Sequence, residues 1–342
     1  MPCLPKEDRI NRIERRLFLI AGGVLLAAPL ARAQPKVVRL GLLSSIQPLS
    51  PIIADPLAAG MRERGWIEGP TFVIERRGHA GNPAKALELA KELVGLRVDA
   101  ILALSALSAV AVKQASERIP VVCWVGEPVV TGLARSLARP GGNFTGVANY
   151  ANVETYGKLV QLLREVRPSL RELAVLWDYV PPGFPDGPIG LDALRAAAKQ
   201  LGVSIQVRMV HDEQELLAAL AVIDRGKFDA LVISSSGGIN GRPELSARIA
   251  EVVTRRRLPA ITDLPTAVFA NAGCLLAYAP RIPDIMGRLA YFVDRVLRGA
   301  NPGELPFEQP TTYELTVNLK TAKAIDLKIP QSLLIRADRV IE

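Results

Sequence analysis

Short apolar runs rich in β-branched residues alternate with segments of helical periodicity along most of this chain, and that alternation leaves few folds open. Residues 37–43, 71–75, 99–104 and 120–125 read as strands, and 120–125 has the composition of one buried on both faces. Between them, residues 52–64 and 106–117 read as helices, and Asn82 caps a third. In that third helix Leu87, Leu89, Ala90, Leu93 and Val94 supply an apolar face, while Glu88, Lys91 and Glu92 turn to solvent. Gly65 stands where the first helix should stop. Strand–helix–strand repeats imply parallel pairing through crossover helices, hence an α/β protein with a doubly wound sheet.

After Asn149 the pattern starts again. Helices are expected over 153–166, 191–201, 213–224 and 243–256, and strands over 173–177, 203–210, 229–234 and 258–262. A Pro/Gly-rich loop covers 181–188. The architecture repeats without any repeat of sequence. The remainder is less regular: a short strand over 273–278, an amphipathic helix over 282–297, an extended piece at 305–310, a strand over 314–317 and a short helix over 320–324. At 342 residues the chain has room for two such lobes.

The stretch 120–146 leads from one lobe to the other. Its strand stops at Gly126-Glu127-Pro128, which sets a carboxylate at the C-terminal end. A helical segment is expected next, then the turn Pro140-Gly141-Gly142-Asn143 and another apolar run. Ligands of open α/β sheets bind beyond the C-terminal ends of the strands. Polar groups recur there: Ser44, Ser45 and Gln47 after the first strand, Ser105 after the third, Glu127 after the fourth, and Ser235, Ser236 and Asp263 in the second lobe. Helix capping is the competing use for each serine. Trp177 and Tyr278 offer an apolar wall for a ring or alkyl group, with core packing the alternative for Trp177.

The N-terminus reads as an export signal over residues 1–33. Arg15-Arg16-Leu17-Phe18-Leu19 is followed by an apolar region over 20–30, then Ala31-Arg32-Ala33 before Gln34. The apolar region is too short to span a membrane, and the paired arginines followed by Phe-Leu suggest the twin-arginine route, with an ordinary Sec signal as the alternative. The mature protein is therefore expected to begin near Gln34, in the periplasm. Of the net charge of +8, the signal accounts for a surplus of three, and the rest is scattered. Without a basic face or a known motif, no nucleic-acid partner is expected. Cys123 and Cys274 each lie in an apolar run and read as buried free thiols, with a disulfide between them the alternative in an oxidising compartment. His79 and His211 lack the neighbours a metal site needs, so neither a metal nor another cofactor is expected.

Enzymatic signatures are missing. Ser44-Ser45-Ile46-Gln47-Pro48 stands where a dinucleotide fingerprint would follow the first strand, and neither a phosphate-binding loop nor a nucleophile elbow occurs. Glu127 and Asp263 facing one cleft could act as paired acids of a hydrolase. Binding a ligand amine or hydroxyl is the simpler use.

The stretch 120–146, with Gly132-Leu133, Ser136-Leu137-Ala138-Arg139-Pro140-Gly141-Gly142-Asn143 and Thr145-Gly146, resembles the ABC-transporter substrate-binding proteins of the family that includes tryptophan/tyrosine-type binding proteins. Leu305-Pro306, Glu308-Gln309-Pro310, Asn318-Leu319-Lys320-Thr321-Ala322-Lys323 and Arg336-Ala337-Asp338 resemble that family's C-terminus. The resemblance implies a type I periplasmic binding protein: α/β, with two Rossmann-like lobes of parallel sheet joined by a multi-strand hinge. It places Ser44, Ser45, Ser105, Ala106, Glu127, Asn149 and Tyr278 at the cleft. The chain departs from the family in having Glu127 where Asp is usual, Ala106 where a hydroxyl residue is usual, and Ser236-Gly237 in place of Asp-Pro, although Asn240 and Arg242 match. A longer acid and two lost polar groups bear against an aromatic amino-acid ligand.

The expected organisation is a first lobe over 34–149, with about 273–305 returning to it, a second lobe over 150–272, and hinge and tail over 306–342. The expected function is a monomeric, non-enzymatic periplasmic receptor for a small molecule, amino-acid-like or another small organic solute, delivered to an ABC permease. A ligand-sensing protein that feeds a signalling receptor is the alternative.

Overall fold

The computed structural model describes residues 37–148, 153–178, 188–210, 212–234, 243–263 and 273–342. The export signal, most of the 181–188 loop, and the candidates Asn149, Ser235 and Ser236 lie outside the described residues. Among those described, no helix is long and apolar enough to cross a membrane.

Five strands, β1 (Val38–Ser44), β2 (Phe72–Gly78), β3 (Ala100–Ala103), β4 (Val121–Val125) and β5 (Phe144–Ala148), form a first sheet in the order β2-β1-β3-β4-β5. All four pairings are parallel: the non-helical stretch 126–143 joins β4 to β5, and helical crossovers join the earlier strands, each returning the chain to the same end of the sheet. The crossovers are α1 (Pro51–Glu63), α2 (Pro83–Gly95) and α3 (Ala106–Ala115). Asn82 caps α2 by accepting the Lys85 N–H at 3.0 Å. Gly65, at φ +85°, takes the left-handed conformation just past α1.

A second sheet has seven strands in the order β12-β11-β10-β9-β8-β6-β7. They are β6 (Glu172–Asp178), β7 (Ser204–Val210), β8 (Ala230–Ser234), β9 (Ala260–Thr262), β10 (Leu276–Pro280), β11 (Tyr313–Asn318) and β12 (Arg339–Ile341). Only the β10–β11 pair is antiparallel. The helices α4 (Val153–Val166), α5 (Pro188–Gln200), α6 (Glu213–Arg225) and α7 (Pro243–Arg255) belong to this half, whose core includes Leu159, Leu194, Leu216 and Ile249.

The segment 273–305, expected to return whole to the first lobe, is divided. β10 pairs with β9 in the second sheet, Leu276 opposite Ile261, and Leu276 is buried in that core. The next helix, α8 (Ile282–Leu297), crosses to the first half. It buries Ile282, Ile285, Met286, Leu289, Ala290, Phe292, Val293 and Val296 against Leu40, Leu42 and Leu57. Glu308 then bridges Val147 at the edge of the first sheet, accepting the Ala148 N–H at 2.8 Å. The tail over 306–342 also builds structure: β11, α9 (Leu319–Ala324), α10 (Gln331–Arg336) and β12 complete the second sheet and its cover. Apolar runs of five residues carry no label saying which sheet they will join, so the division was invisible locally.

No helix forms after Pro128. The N–H groups of Leu133 and Ala134 both donate to the Pro128 carbonyl, at 2.8 and 2.9 Å, and Gly132 turns at φ +66°. Lys113 Nζ donates to the Gly132 carbonyl at 2.7 Å and fixes that turn. The Pro140–Gly142 turn is scaffold: Gly141 N–H donates to the Gly303 carbonyl at 3.0 Å, and a Cβ on Gly303 would lie 2.6 Å from the Gly142 oxygen.

Candidate functional site

Parallel strands deliver their C-terminal ends to one edge of each sheet, and Ser44, Ser105, Glu127 and Asp263, among the described residues, sit at or just past those ends. At the end of β1, Ser44 is 3% exposed and internally satisfied. Its hydroxyl donates to the Ile46 carbonyl at 2.6 Å and accepts from Gln47 Nε2 at 3.0 Å. Ser44 and Gln47 therefore build the turn. Ser45 is half-buried, and its carbonyl accepts the Ala80 N–H at 2.9 Å.

After β3, Ser105 caps α3 by accepting the Ser108 N–H at 3.0 Å, with Ala106 as the first helical residue. After β4, the Glu127 carbonyl is occupied by Thr131, from N–H at 3.0 Å and Oγ1 at 2.8 Å. The carboxylate is not: Glu127 Oε2 is buried without a partner, and burial raises the pKa of the group.

The second sheet presents a row. Trp177 on β6 lies opposite Ser234 on β8, and Asp263 follows the last residue of β9. Ser234 Oγ donates to Asp263 Oδ2 at 2.7 Å, and the Tyr156 hydroxyl reaches the same oxygen at 3.5 Å from α4. The other oxygen, Asp263 Oδ1, is buried with no partner. Burial pushes the Asp263 pKa up to about 6 against the pull of these donors. Tyr156 is raised well above its ordinary value by burial, then by the charge of Asp263, and further by that of Glu127. The first sheet's acid is thus within electrostatic reach of the second sheet's cluster.

Two aromatics differ in setting. Trp177 is buried in the second core, with Tyr156 tilted over it at 5.8 Å between ring centroids. Tyr278 is only partly buried and stacks on Tyr313 at 5.4 Å. Its pKa is raised by burial, then by Tyr313 and Asp338. Cys123 and Cys274 are buried thiols in different clusters, one in each half.

Three polar residues of these edges escape a reading of the sequence alone. Ser234 is the last residue of an apolar run and looks like part of the strand. Tyr156 sits at the start of an amphipathic helix, where an aromatic reads as core; its hydroxyl is revealed by Gly190, where a Cβ would lie 2.7 Å from that oxygen. His79, 1% exposed, hydrogen-bonds Ser108.

Two mostly parallel sheets with helical connections, each carrying an acid just past the end of a strand, define the class as the type I periplasmic-binding-protein fold. The model of a family described as ABC transporter substrate binding protein matches residues 52–341, and the chain belongs to that family. A tyrosine-binding protein of Clostridioides difficile (strain R20291) is 24% identical over 270 residues, covering 78% of this chain and 74% of the relative. Among solved structures, an ABC domain in complex with L-Trp from Streptococcus pneumonia superimposes with a TM-score of 0.79 at 21% identity, over 89% of this chain and all (100%) of that one. A conserved domain protein from Vibrio cholerae does so with a TM-score of 0.79 at 21% identity, over 89% and 100%. At these identities the structures speak for the fold.

Proposed function

We propose that this protein is an exported, non-enzymatic solute receptor whose ligand presents a protonated nitrogen, or another strong donor, between Glu127 and Asp263. The observation that carries this reading is the pair of orphaned oxygens. Among the described residues, Glu127 Oε2 and Asp263 Oδ1 are the buried side-chain oxygens without a partner. An unpartnered buried polar atom costs roughly 1–3 kcal/mol, more if charged, and a ligand that donates to both removes that cost. Both carboxyls have pKa values raised by burial, so the free receptor is strained toward protonation at the place where a cation would hold both acids ionised.

The relatives support an amino-acid-like ligand, since one is described as tyrosine-binding and another was solved with L-Trp. Glu127, longer than the usual aspartate, argues for a smaller or differently seated molecule. The two halves act as lobes, and ligand favours the closed arrangement by binding it better than the open one. Asn149, Ser235, Ser236 and Tyr278 complete the lining in this reading. Export by the twin-arginine signal, cleavage after Ala33, and monomeric delivery to an inner-membrane permease complete the role.

A thermal-shift screen of amino acids, amines and small organic acids on the mature protein tests the reading, because ligand raises the midpoint by mass action. Hits should carry a donor nitrogen, and Glu127→Gln should weaken them at least tenfold. Unchanged affinity in that variant removes Glu127 from the site, and turnover of a hit overturns the receptor reading.

A further inference from the structure

We infer that His79, a residue in no contact with the paired acids, is a positioning residue that commits the Ser105 hydroxyl to donate outward, so that the ligand carries a hydrogen-bond acceptor at that point. The inference rests on the solute-receptor reading above and adds the second half of the ligand's chemistry.

Three distances set the direction of a buried relay. The Gly81 N–H donates to His79 Nδ1 at 3.1 Å. A neutral imidazole that accepts at Nδ1 carries its proton on Nε2, and His79 Nε2 lies 3.1 Å from Ser108 Oγ. Burial keeps the ring neutral, with its pKa pushed down to about 4. Ser108 Oγ therefore accepts from the histidine and must place its own proton elsewhere. The oxygen available to it is Ser105 Oγ at 2.8 Å. Reversing that bond would leave the proton of Ser108, 0% exposed, with no acceptor.

Ser105 Oγ then accepts twice, from the Ser108 N–H at 3.0 Å and from the Ser108 hydroxyl. A hydroxyl has two lone pairs and one proton. With both lone pairs used, Ser105 can only donate. It stands on the same strand-end edge as Glu127, one strand over, a lateral spacing of about 5 Å. A carboxylate, carbonyl or ether oxygen on the ligand satisfies the proton, whereas an ammonium or a second N–H there meets a donor. The edge thus selects a molecule with a donor end at the acids and an acceptor end at Ser105.

The experiment has two arms on the mature protein. In the first, ¹⁵N-histidine labelling without ligand reads the tautomer, with the His79 signals assigned by their loss in His79→Gln. The expected result is a proton on Nε2, an unprotonated Nδ1, and no titration between pH 8 and 5. A proton on Nδ1, or ordinary titration near neutrality, overturns the relay. In the second, calorimetry compares matched probes that share an ammonium and differ in the carboxylate: leucine with isopentylamine, tyrosine with tyramine, tryptophan with tryptamine. The binding pair should favour the amino acid at least tenfold. Ser105→Ala and Ser108→Ala should cut that ratio several-fold, and His79→Gln, which still donates to Ser108, should retain most of it. Amines that bind as tightly as amino acids, or a ratio unmoved in both serine variants, overturn the acceptor. If no probe of either kind binds, the cationic-ligand reading fails, while the histidine spectrum still decides the relay.

Discussion

Asp263 and His79 make opposite contributions to stability in the same range of pH, and each sign follows from what the fold does to the group. Asp263 is raised from its ordinary 3.8 to about 6, so the folded chain holds its proton more tightly than the unfolded chain. Its contribution is greatest in acid, declines as pH rises from about 4 to about 6, and is flat above. His79 is lowered from 6.5 to about 4, so the unfolded chain takes up the proton first. Its contribution is complete above about 6.5 and is lost as pH falls toward 4. Asp263→Asn should therefore raise the thermal midpoint at pH 7.5 by a few degrees and abolish ligand-induced stabilisation. A variant that is more stable but no longer binds marks a group kept for function. A lower midpoint at pH 7.5 would make the aspartate structural. His79→Gln should flatten the decline in stability between pH 6.5 and 4, read by denaturant titration across that range. Ligand affinity in the wild type should fall below pH 6 as Asp263 takes up its proton.

At the scale of elements, close backbone approach decides what sequence is tolerated. In β5, Gly146 sits at φ +143°, a region essentially confined to glycine, and a Cβ there would lie 2.0 Å from the Cys123 oxygen. Gly146→Ala should cost more than about 3 kcal/mol, or prevent folding, because neither strand can move without breaking the β4–β5 ladder. Gly190 plays a quieter role in α5 by making room for the Tyr156 hydroxyl. Gly190→Ala should leave a folded protein whose Tyr156 is displaced from Asp263, detected as weaker ligand binding with a smaller loss in midpoint than Gly146→Ala. These glycines explain parts of the sequence that a periodicity analysis passes over. Glycine inside an apolar run looks like a weakness of the strand until its neighbour is known.

For the whole molecule, α8 is the tie between the halves. It follows β10 of the second sheet directly and buries its face in the first core, where Gly60 of α1 lies so near that a Cβ on it would be 2.8 Å from the Ala290 Cβ. Trp66 Nε1 donates to Asp294 Oδ1 at 2.9 Å beside that contact. Arg288 closes the same region with a two-point ion pair to Glu308, its Nε 2.6 Å from the carboxylate. Leu289→Ala should cost about 2–5 kcal/mol, and a first half that depends on a late segment should unfold together with it. Chemical denaturation followed by fluorescence and by circular dichroism would show coincident transitions. Separate ones would mean that the first half stands without α8.

The alternation of apolar strands with periodic helices was enough to determine an α/β protein with mostly parallel sheets, because the two periods are local properties of the sequence and helical connections favour parallel pairing. The same local rule, an acid just past a buried strand, picked out Glu127 and Asp263, which among the described residues are the carboxyls with a buried, unpartnered oxygen. Which sheet β10 joins, where α8 packs, and that the chain turns rather than coils after Pro128 are matters of long-range contact, and no window of the sequence contains them. Nor could a window pair Tyr156 with Asp263, 107 residues apart, or His79 with Ser108, 29 apart. Burial and hydrogen-bond direction are properties of neighbours in space, so the chemistry of this edge was decided only when the chain had folded.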